Sequence, residues 1–311
     1  MSKRHQLTIA AAVGGLLITA SASLAAPPGR VRIGSDDKVF PESMAATPDG
    51  TLYAGSIAEG IVFKAAPGTA QAAPFIARQA GGPQSVLGVY ADPKAGLLWV
   101  CYSDLSAMNG KPGAPGAIVR SFDLASGALK ASYPFPGGGF CNDVTTAAAG
   151  TAYVSDTAGG RVLRLKPGAT DLDVWFKDDG LKGIDGLSLG PDGALYVNSV
   201  TANTLGRVDI NADGSAKGYT KLTLSQPIKG PDGMRFGDDG VLYLAENGAG
   251  EADAVTLSGD NATIKPFKTG LDAPTGVGKA GNTLFVLEAK VDQMGKATDP
   301  GPFYVYTAPL Q

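Results

Sequence analysis

One phrase recurs along the chain, and its recurrence constrains the fold more than any other feature. Glu42, Asn142, Asp185 and Asp232 each stand at the start of a short apolar run, and a tyrosine follows each of them eleven residues later: Tyr53, Tyr153, Tyr196 and Tyr243. Between the polar residue and the tyrosine lies a turn holding Asp49-Gly50, Gly150, Asp192-Gly193 or Asp239-Gly240. Two weaker copies run from Gly88 to Trp99 and from Thr275 to Phe285, the second one residue shorter. Each copy reads as strand, tight turn, strand and usually a third apolar stretch such as Arg161-Val162-Leu163-Arg164-Leu165. Short alternating patterns bounded by Gly, Pro and Asp are strand signals. Self-similarity at roughly 40–50 residues with four strands per unit marks a propeller blade. The copies, starting at residues 42, 88, 142, 185, 232 and 275, therefore predict an all-β, six-bladed β-propeller. With 44 glycines and 21 prolines in 311 residues, long helices are not expected, because each interior Gly or Pro costs helix stability. A closed ring of blades is one unit, so residues 26–311 are expected to form a single domain.

The N-terminal residues follow a different pattern. Lys3 and Arg4 precede an uncharged stretch over residues 7–26 that ends Ser23-Leu24-Ala25-Ala26-Pro27. A basic start, an apolar run and small residues at −3 and −1 predict a secretory signal peptide over residues 1–25, cleaved after Ala25 or, as second choice, Ala26. An uncleaved anchor is the alternative, since the run is nearly long enough to span a bilayer. A periplasmic or secreted protein is expected. The chain's one histidine, His5, lies in this segment. The mature chain then lacks imidazole, which excludes Ser-His-Asp and Cys-His catalysis, histidine-ligated zinc and a histidine proton shuttle. Net charge is −3 with no Lys/Arg cluster, which argues against a nucleic-acid partner and, once the leader is removed, a membrane. The oligomeric state is not readable.

Acids fall into two groups. Asp49, Asp192 and Asp239 precede glycine in the hairpin between the first two strands, where Asp-Gly is favoured for its positive backbone φ, and are structural. Asp232 also precedes glycine, but the repeat aligns it with Glu42, Asn142 and Asp185, before the innermost strand. Equivalent positions of the blades point toward the axis at one end of the channel. Three carboxylates and an amide meeting there would repel strongly without a cation, and no Lys or Arg shares the register. A divalent ion held by Glu42, Asn142, Asp185 and Asp232 resolves the repulsion. All-oxygen ligation suits calcium best, with magnesium, manganese or zinc as alternatives. The competing reading is that these residues cap strand ends or bind water.

The phrases Pro41-Glu42-Ser43-Met44-Ala45, Cys141-Asn142-Asp143-Val144, Asp185-Gly186-Leu187-Ser188-Leu189 and Pro231-Asp232-Gly233-Met234-Arg235-Phe236 resemble the senescence marker protein, gluconolactonase and luciferin-regenerating enzyme family, over essentially the whole mature chain. The resemblance implies a six-bladed propeller with one divalent metal, usually calcium, in its channel, and hydrolysis of a small lactone or related ester. It makes Glu42 a metal carboxylate, Asp232 both metal ligand and catalytic base, and Asn142 a contact to substrate or metal. Asp185 stands where the family usually has asparagine, a departure that adds negative charge. Ser43-Met44 replaces the frequent Gly-Pro. Strictosidine-synthase-like propellers share similar phrases, and a binding propeller with a structural metal is the reading from another functional class.

Two motif matches carry no chemistry. Gly186-Leu187-Ser188-Leu189-Gly190 fits a nucleophile elbow but sits on an inner strand with no histidine to serve it. Gly276-Val277-Gly278-Lys279-Ala280-Gly281 fits a dinucleotide fingerprint but precedes a strand, not a helix. Asn198, Asp156, Glu246 and Asn247 end second strands near the same rim. Asn198 is put forward with Asn142 as substrate-binding, against the alternative that each of the four bonds a loop. Residues 103–116, rich in Gly and Pro, are a candidate lid. Asn261-Ala262-Thr263 is a glycosylation sequon. Cys101 and Cys141 lie near the rim in neighbouring blades, as a disulfide or as two buried thiols; their spacing does not decide.

Overall fold

The computed structural model describes residues 29–35, 38–108, 116–296 and 298–310. The expected leader, and residues 109–115 of the candidate lid, lie outside them. The strands form six antiparallel units of four, each with its first strand innermost, and the fifth carries one more short strand, Thr223–Leu224, paired parallel with its outer strand Asn261–Thr269. Blade 1 runs Pro41–Ala46, Leu52–Ser56, Val62–Ala65 and Gln71–Ile76. The inner strands of blades 2 to 6 are Ser85–Asp92, Cys141–Thr146, Ile184–Leu189, Pro231–Phe236 and Pro274–Ala280. Each packs against the next, and the last against the first, closing a cycle around one axis. Blade 6 is completed from the other end of the chain. Its outer strand is Arg30–Ile33, paired antiparallel with Phe303–Pro309. Helix is limited to the turn Leu105–Met108 and two short 3-10 segments among the described residues.

The core sits between blades. Six apolar clusters occupy the six interfaces, and the aromatic repeat explains them. Tyr53 packs with Val86 and Leu98 of blade 2, Tyr153 with Leu187 and Val197 of blade 4, Tyr196 with Met234 and Leu244 of blade 5, and Tyr243 with Val277 and Val286 of blade 6. Trp99 and Phe285 take the same place in the two weaker copies. Each aromatic wedge belongs to one blade and is buried against the next, so the residue that recurs is the one joining neighbours. Between blades 2 and 3 the wedge is reinforced covalently: Cys101 and Cys141, both fully buried, form a disulfide with Cα atoms 5.3 Å apart.

The Asp-Gly hairpins differ in detail from expectation. Only the glycine is left-handed, with φ of 88°, 81° and 76° at Gly50, Gly193 and Gly240; the aspartates are not. Each loop spans three residues, as in Pro48-Asp49-Gly50, where Gly50 N donates to Thr47 O and Thr47 N to Thr51 O. This is the hairpin in which a turn is closed by one left-handed residue. The aspartate serves by its side chain: Asp192 accepts from Ala194 N and Tyr196 Oη, and Asp239 from Val241 N and Tyr243 Oη. In blades 4 and 5 the turn acid thus anchors the wedge tyrosine of its own blade, whereas Asp49 accepts from Thr47 and Thr51 and Tyr53 donates to Leu124 O.

Candidate metal centre on the propeller axis

All six inner strands carry the same irregularity. Pairing with the second strand slips near the strand start, between Pro41 and Ser43, Val86 and Val89, Cys141 and Val144, Ile184 and Leu187, Pro231 and Met234, and Pro274 and Gly276. A bulge re-aims the side chains beside it, and here it does so once per blade at the register of Glu42, Asn142, Asp185 and Asp232. The glycines beside this register let the inner strands touch. A Cβ on Gly88 would stand 2.3 Å from Asn142 O, one on Gly186 2.4 Å from Asp232 O, and one on Gly233 2.4 Å from Thr275 O. Gly186 and Gly233, which mimic turn glycines in sequence, therefore serve close packing.

Glu42, Asp185 and Asp232 converge. Each contributes a carboxylate oxygen, and these lie within 4.8 Å of one another with the residues 7–8% exposed. Asn142 joins them, its Nδ2 donating to Asp185 Oδ2 at 3.0 Å. Asp232 Oδ1 accepts from Gly233 N at 2.9 Å, while its Oδ2 accepts from Asn247 Nδ2 at a longer 3.4 Å. Asn198 is engaged at both ends of its amide: Oδ1 accepts from Gly186 N at 3.1 Å and Nδ2 donates to Asp232 O. It holds the main chain of two axial acids. Asp156 is fully buried against Arg161 and accepts from Phe140 N and Gly159 N, holding a loop.

The electrostatics are unbalanced. Burial, then the charges of Asp185 and Asp143, holds Glu42 well above the usual carboxylate range. Burial and the neighbouring Asp185 and Glu42 do the same to Asp232. Burial and Asp143 push Asp185 up to about 7. One positive group reaches the axis from outside the register of the acids. Arg235, three residues beyond Asp232, grips Asp143 with both nitrogens at 2.6 Å. Asp143 adds a fourth acid, so the pair leaves the three axial carboxylates uncompensated. Among the described residues, Glu42 Oε2 and Asp185 Oδ1 are buried with no hydrogen-bond partner, as is Thr275 Oγ1 in the same register of blade 6. An all-oxygen set of three acids with orphaned oxygens fits a hard divalent cation.

A cavity of about 750 Å³ opens at the other end of the channel, beside the hairpins, lined by Tyr90, Asp92, Thr146, Arg235, Phe236 and Lys279 among others. It does not reach the carboxylates; the Asp143–Arg235 pair stands between. Geometry and charge locate the candidate site at the acids rather than in this larger space.

No protein-family profile matches the chain, and no curated protein resembles it significantly in sequence. Solved structures do resemble its fold. The calcium-binding protein regucalcin of Agrobacterium tumefaciens superimposes with a TM-score of 0.64 at 18% identity, over 93% of this chain and 97% of that one. A gluconolactonase of Xanthomonas campestris gives 0.61 at 16%, over 87% and 86%. Virginiamycin B lyase of Staphylococcus aureus, in a form made catalytically inactive by a histidine-to-alanine substitution, gives 0.61 at 15%, over 90% and 98%. At such identities the likeness is one of architecture, and it identifies the chain as a β-propeller.

Proposed function

We propose that the protein is an exported, calcium-dependent hydrolase of small lactones or related carboxylic esters, acting at the axial carboxylates. One observation carries this reading: three buried acids meet, the Asp143–Arg235 pair leaves their charge uncompensated, and among the described residues some of their oxygens have no hydrogen-bond partner. Glu42, Asp185 and Asp232 would hold the ion, with Asn142 beside them. Bound there, a divalent cation polarises a substrate carbonyl and stabilises negative charge on its oxygen. Asp232 is the base. Its Oδ1 is tied to Gly233 N, so the loosely held Oδ2 takes the proton of the attacking water and returns it to the leaving alkoxide. Asn247 bonds that carboxylate and Asn198 holds the main chain that carries it. The axial acid Asp185, raised to about 7, would lose its proton when the ion binds, since ligands must be deprotonated.

Regucalcin's calcium and the gluconolactonase's activity, in proteins of the same fold, support the choice of ion and reaction. The lyase chemistry is disfavoured, because that enzyme fails without a histidine and the one here is His5. Export is supported by the leader pattern and by the Cys101–Cys141 disulfide, a bond that persists in oxidising compartments. A panel of lactones and esters, assayed with and without chelator, tests the reading. Turnover should vanish on chelation, return with calcium, and fall at least the roughly 10²-fold of a lost general base in Asp232→Asn. Full calcium binding with no turnover across the panel would instead make this a binding propeller.

A further inference from the structure

A slot beside the axial register recurs in several blades. It is built from the last residue of the second strand, its cross-strand partner on the third, and the residue two further on. In blade 3 these are Asp156, Arg161 and Leu163, with Arg161 Nε 2.7 Å from Asp156 Oδ2. In blade 6 they are Glu288, Tyr304 and Tyr306; there Glu288 Oε2 accepts from Asp272 N and Oε1 faces the Tyr306 hydroxyl at 3.4 Å. In both blades the chain itself supplies a donor to the buried acid. Blade 5 has Glu246 paired with Glu251, and Asp253 two residues on. Glu246 Oε2 accepts from Lys229 N at 2.6 Å, as its counterpart in blade 6 accepts from Asp272 N. The donor side of the slot, however, is filled by two more acids.

These three side chains face the same way. Strand alternation puts Glu246 with Leu244, which packs against Tyr196 and Leu205 of blade 4, while Ala245 and Ala252 face Val277 and Val286 of blade 6. Their carboxylate oxygens lie within 4.8 Å of one another. Glu246 is 1% exposed and Asp253 0%. Among the described residues, Glu246 Oε1 and both oxygens of Asp253 have no hydrogen-bond partner. Among the described residues, none of the three acids pairs with a basic side chain. Leaving a buried carboxylate bare in this way is costly. Glu251, half-buried, gives the cluster its edge toward solvent.

We propose that Glu246, Glu251 and Asp253 form a second cation site, separate from the axial one, which binds calcium between blades 4 and 5 in the place that Arg161 fills in blade 3. The donors are again all oxygen, and three negative charges with room for water at the Glu251 side suit calcium's flexible coordination better than magnesium's strict octahedron. The ion would tie the second and third strands of blade 5 together at the end from which Asn247 reaches Asp232. The site shares no ligand with the axial cluster and stands whether or not that cluster is catalytic. The competing occupant is a proton. Burial and the adjacent Glu246 push Asp253 up to about 9, so a cation-free pair keeps one.

Equilibrium dialysis of the metal-stripped full-length chain against calcium alone separates the two. The wild type should take up two ions. The axial double variant Glu42→Gln/Asp185→Asn should keep one. Adding Asp253→Asn to it should abolish that ion, and Glu251→Gln should weaken it on the order of tenfold through the lost ligand charge. Glu251→Arg, which restores the blade 3 pairing, keeps the fold in a slot that tolerates arginine and should remove one ion from the wild type. It reads the same site if Asp253→Asn does not fold. A folded axial variant that binds no calcium, or Glu251→Arg that binds as many ions as the wild type, overturns the proposal and leaves the proton as occupant.

Discussion

Replacing Arg235 by methionine is the most informative single change on the axis. The guanidinium is 14% exposed and Asp143 only 5%. Arg235 makes two bonds of 2.6 Å to the Asp143 carboxylate, and its Nη1 also donates to Leu187 O at 3.0 Å and Met234 O at 2.7 Å. Methionine keeps the apolar stem and removes all four. Asp143 keeps bonds from Val144 N and Leu187 N, but its charge is stranded beside Glu42 and Asp185. Breaking a buried pair by removing one partner costs about 3–5 kcal/mol. For a domain of this size that lowers the melting temperature by roughly 6–10 °C. Asp143→Asn in the same background removes the stranded charge, so the double variant should recover part of the loss, with a coupling of about 2 kcal/mol or more. Arg235 also draws Glu42 down. Without it the cluster is more negative, and calcium should raise the melting temperature more in Arg235→Met than in the wild type. Urea and thermal unfolding of the four proteins, with and without calcium, supply the numbers. A loss below about 1 kcal/mol, or strict additivity in the double variant, would refute the assignment of Arg235 as the counter-charge of the axis.

Three further outcomes follow from the same geometry. Glu42, Asp185 and Asp232 have folded pKa values raised above their unfolded ones, so the native metal-free protein binds more protons and must lose stability as pH rises from about 4 toward 7; melting curves at about pH 5 and pH 8 should show calcium stabilising far more at the higher pH, and a metal-free protein that gains stability over that range contradicts the cluster. Asp192→Asn should shift stability by no more than about 0.5 kcal/mol and leave hydrolysis intact, since asparagine can still bond Ala194 N and Tyr196 Oη; a damaging Asp192→Asn would show that the blade register is misassigned. The disulfide closes a loop with a sequence separation of 40, and Cys101→Ser/Cys141→Ser should cost on the order of 2–4 kcal/mol in denaturant unfolding.

The blades were legible because one offset serves two purposes. The aromatic eleven residues along is the wedge between neighbours, and the residue that starts the count sits at the bulge facing the axis. Glu42, Asp185 and Asp232 could thus be aligned without knowing where any blade lies. Asp232 could be separated from the turn aspartates because the same count aligns it with Glu42, Asn142 and Asp185, and the structure agrees: Gly233 packs close to Thr275 O with no left-handed φ. Arg235 was not legible. Its partner Asp143 is 92 residues away across the axis, and no local pattern reports a contact made only when the ring closes. Glu246 stood out at a strand end, but its meeting with Glu251 and Asp253 depends on cross-strand pairing and on which face of blade 5 turns toward blade 4. The conformation of the Asp-Gly hairpins was misjudged because the same dipeptide fits two-residue and three-residue loops, and the choice between them rests on backbone bonds at Thr47 and Thr51 rather than on side chains.

The strand Arg30–Ile33 that completes blade 6 gives the ring a seam, held by hydrogen bonds to Phe303–Pro309 and, along its other edge, by a short parallel pairing of Arg32 and Ile33 with Gln71 and Ala72. The seam joins the most widely separated segments of the described chain. Loop-closure entropy opposes such a contact more than any hairpin within a blade, so it forms late and slows folding. Until then the outer edge of Phe303–Pro309 is an unpaired strand open to a second chain. Deleting residues 30–33 should therefore leave five blades able to form while the sixth keeps an open edge along Phe303–Pro309, which should pair with the edge of a second molecule and give association that rises with concentration.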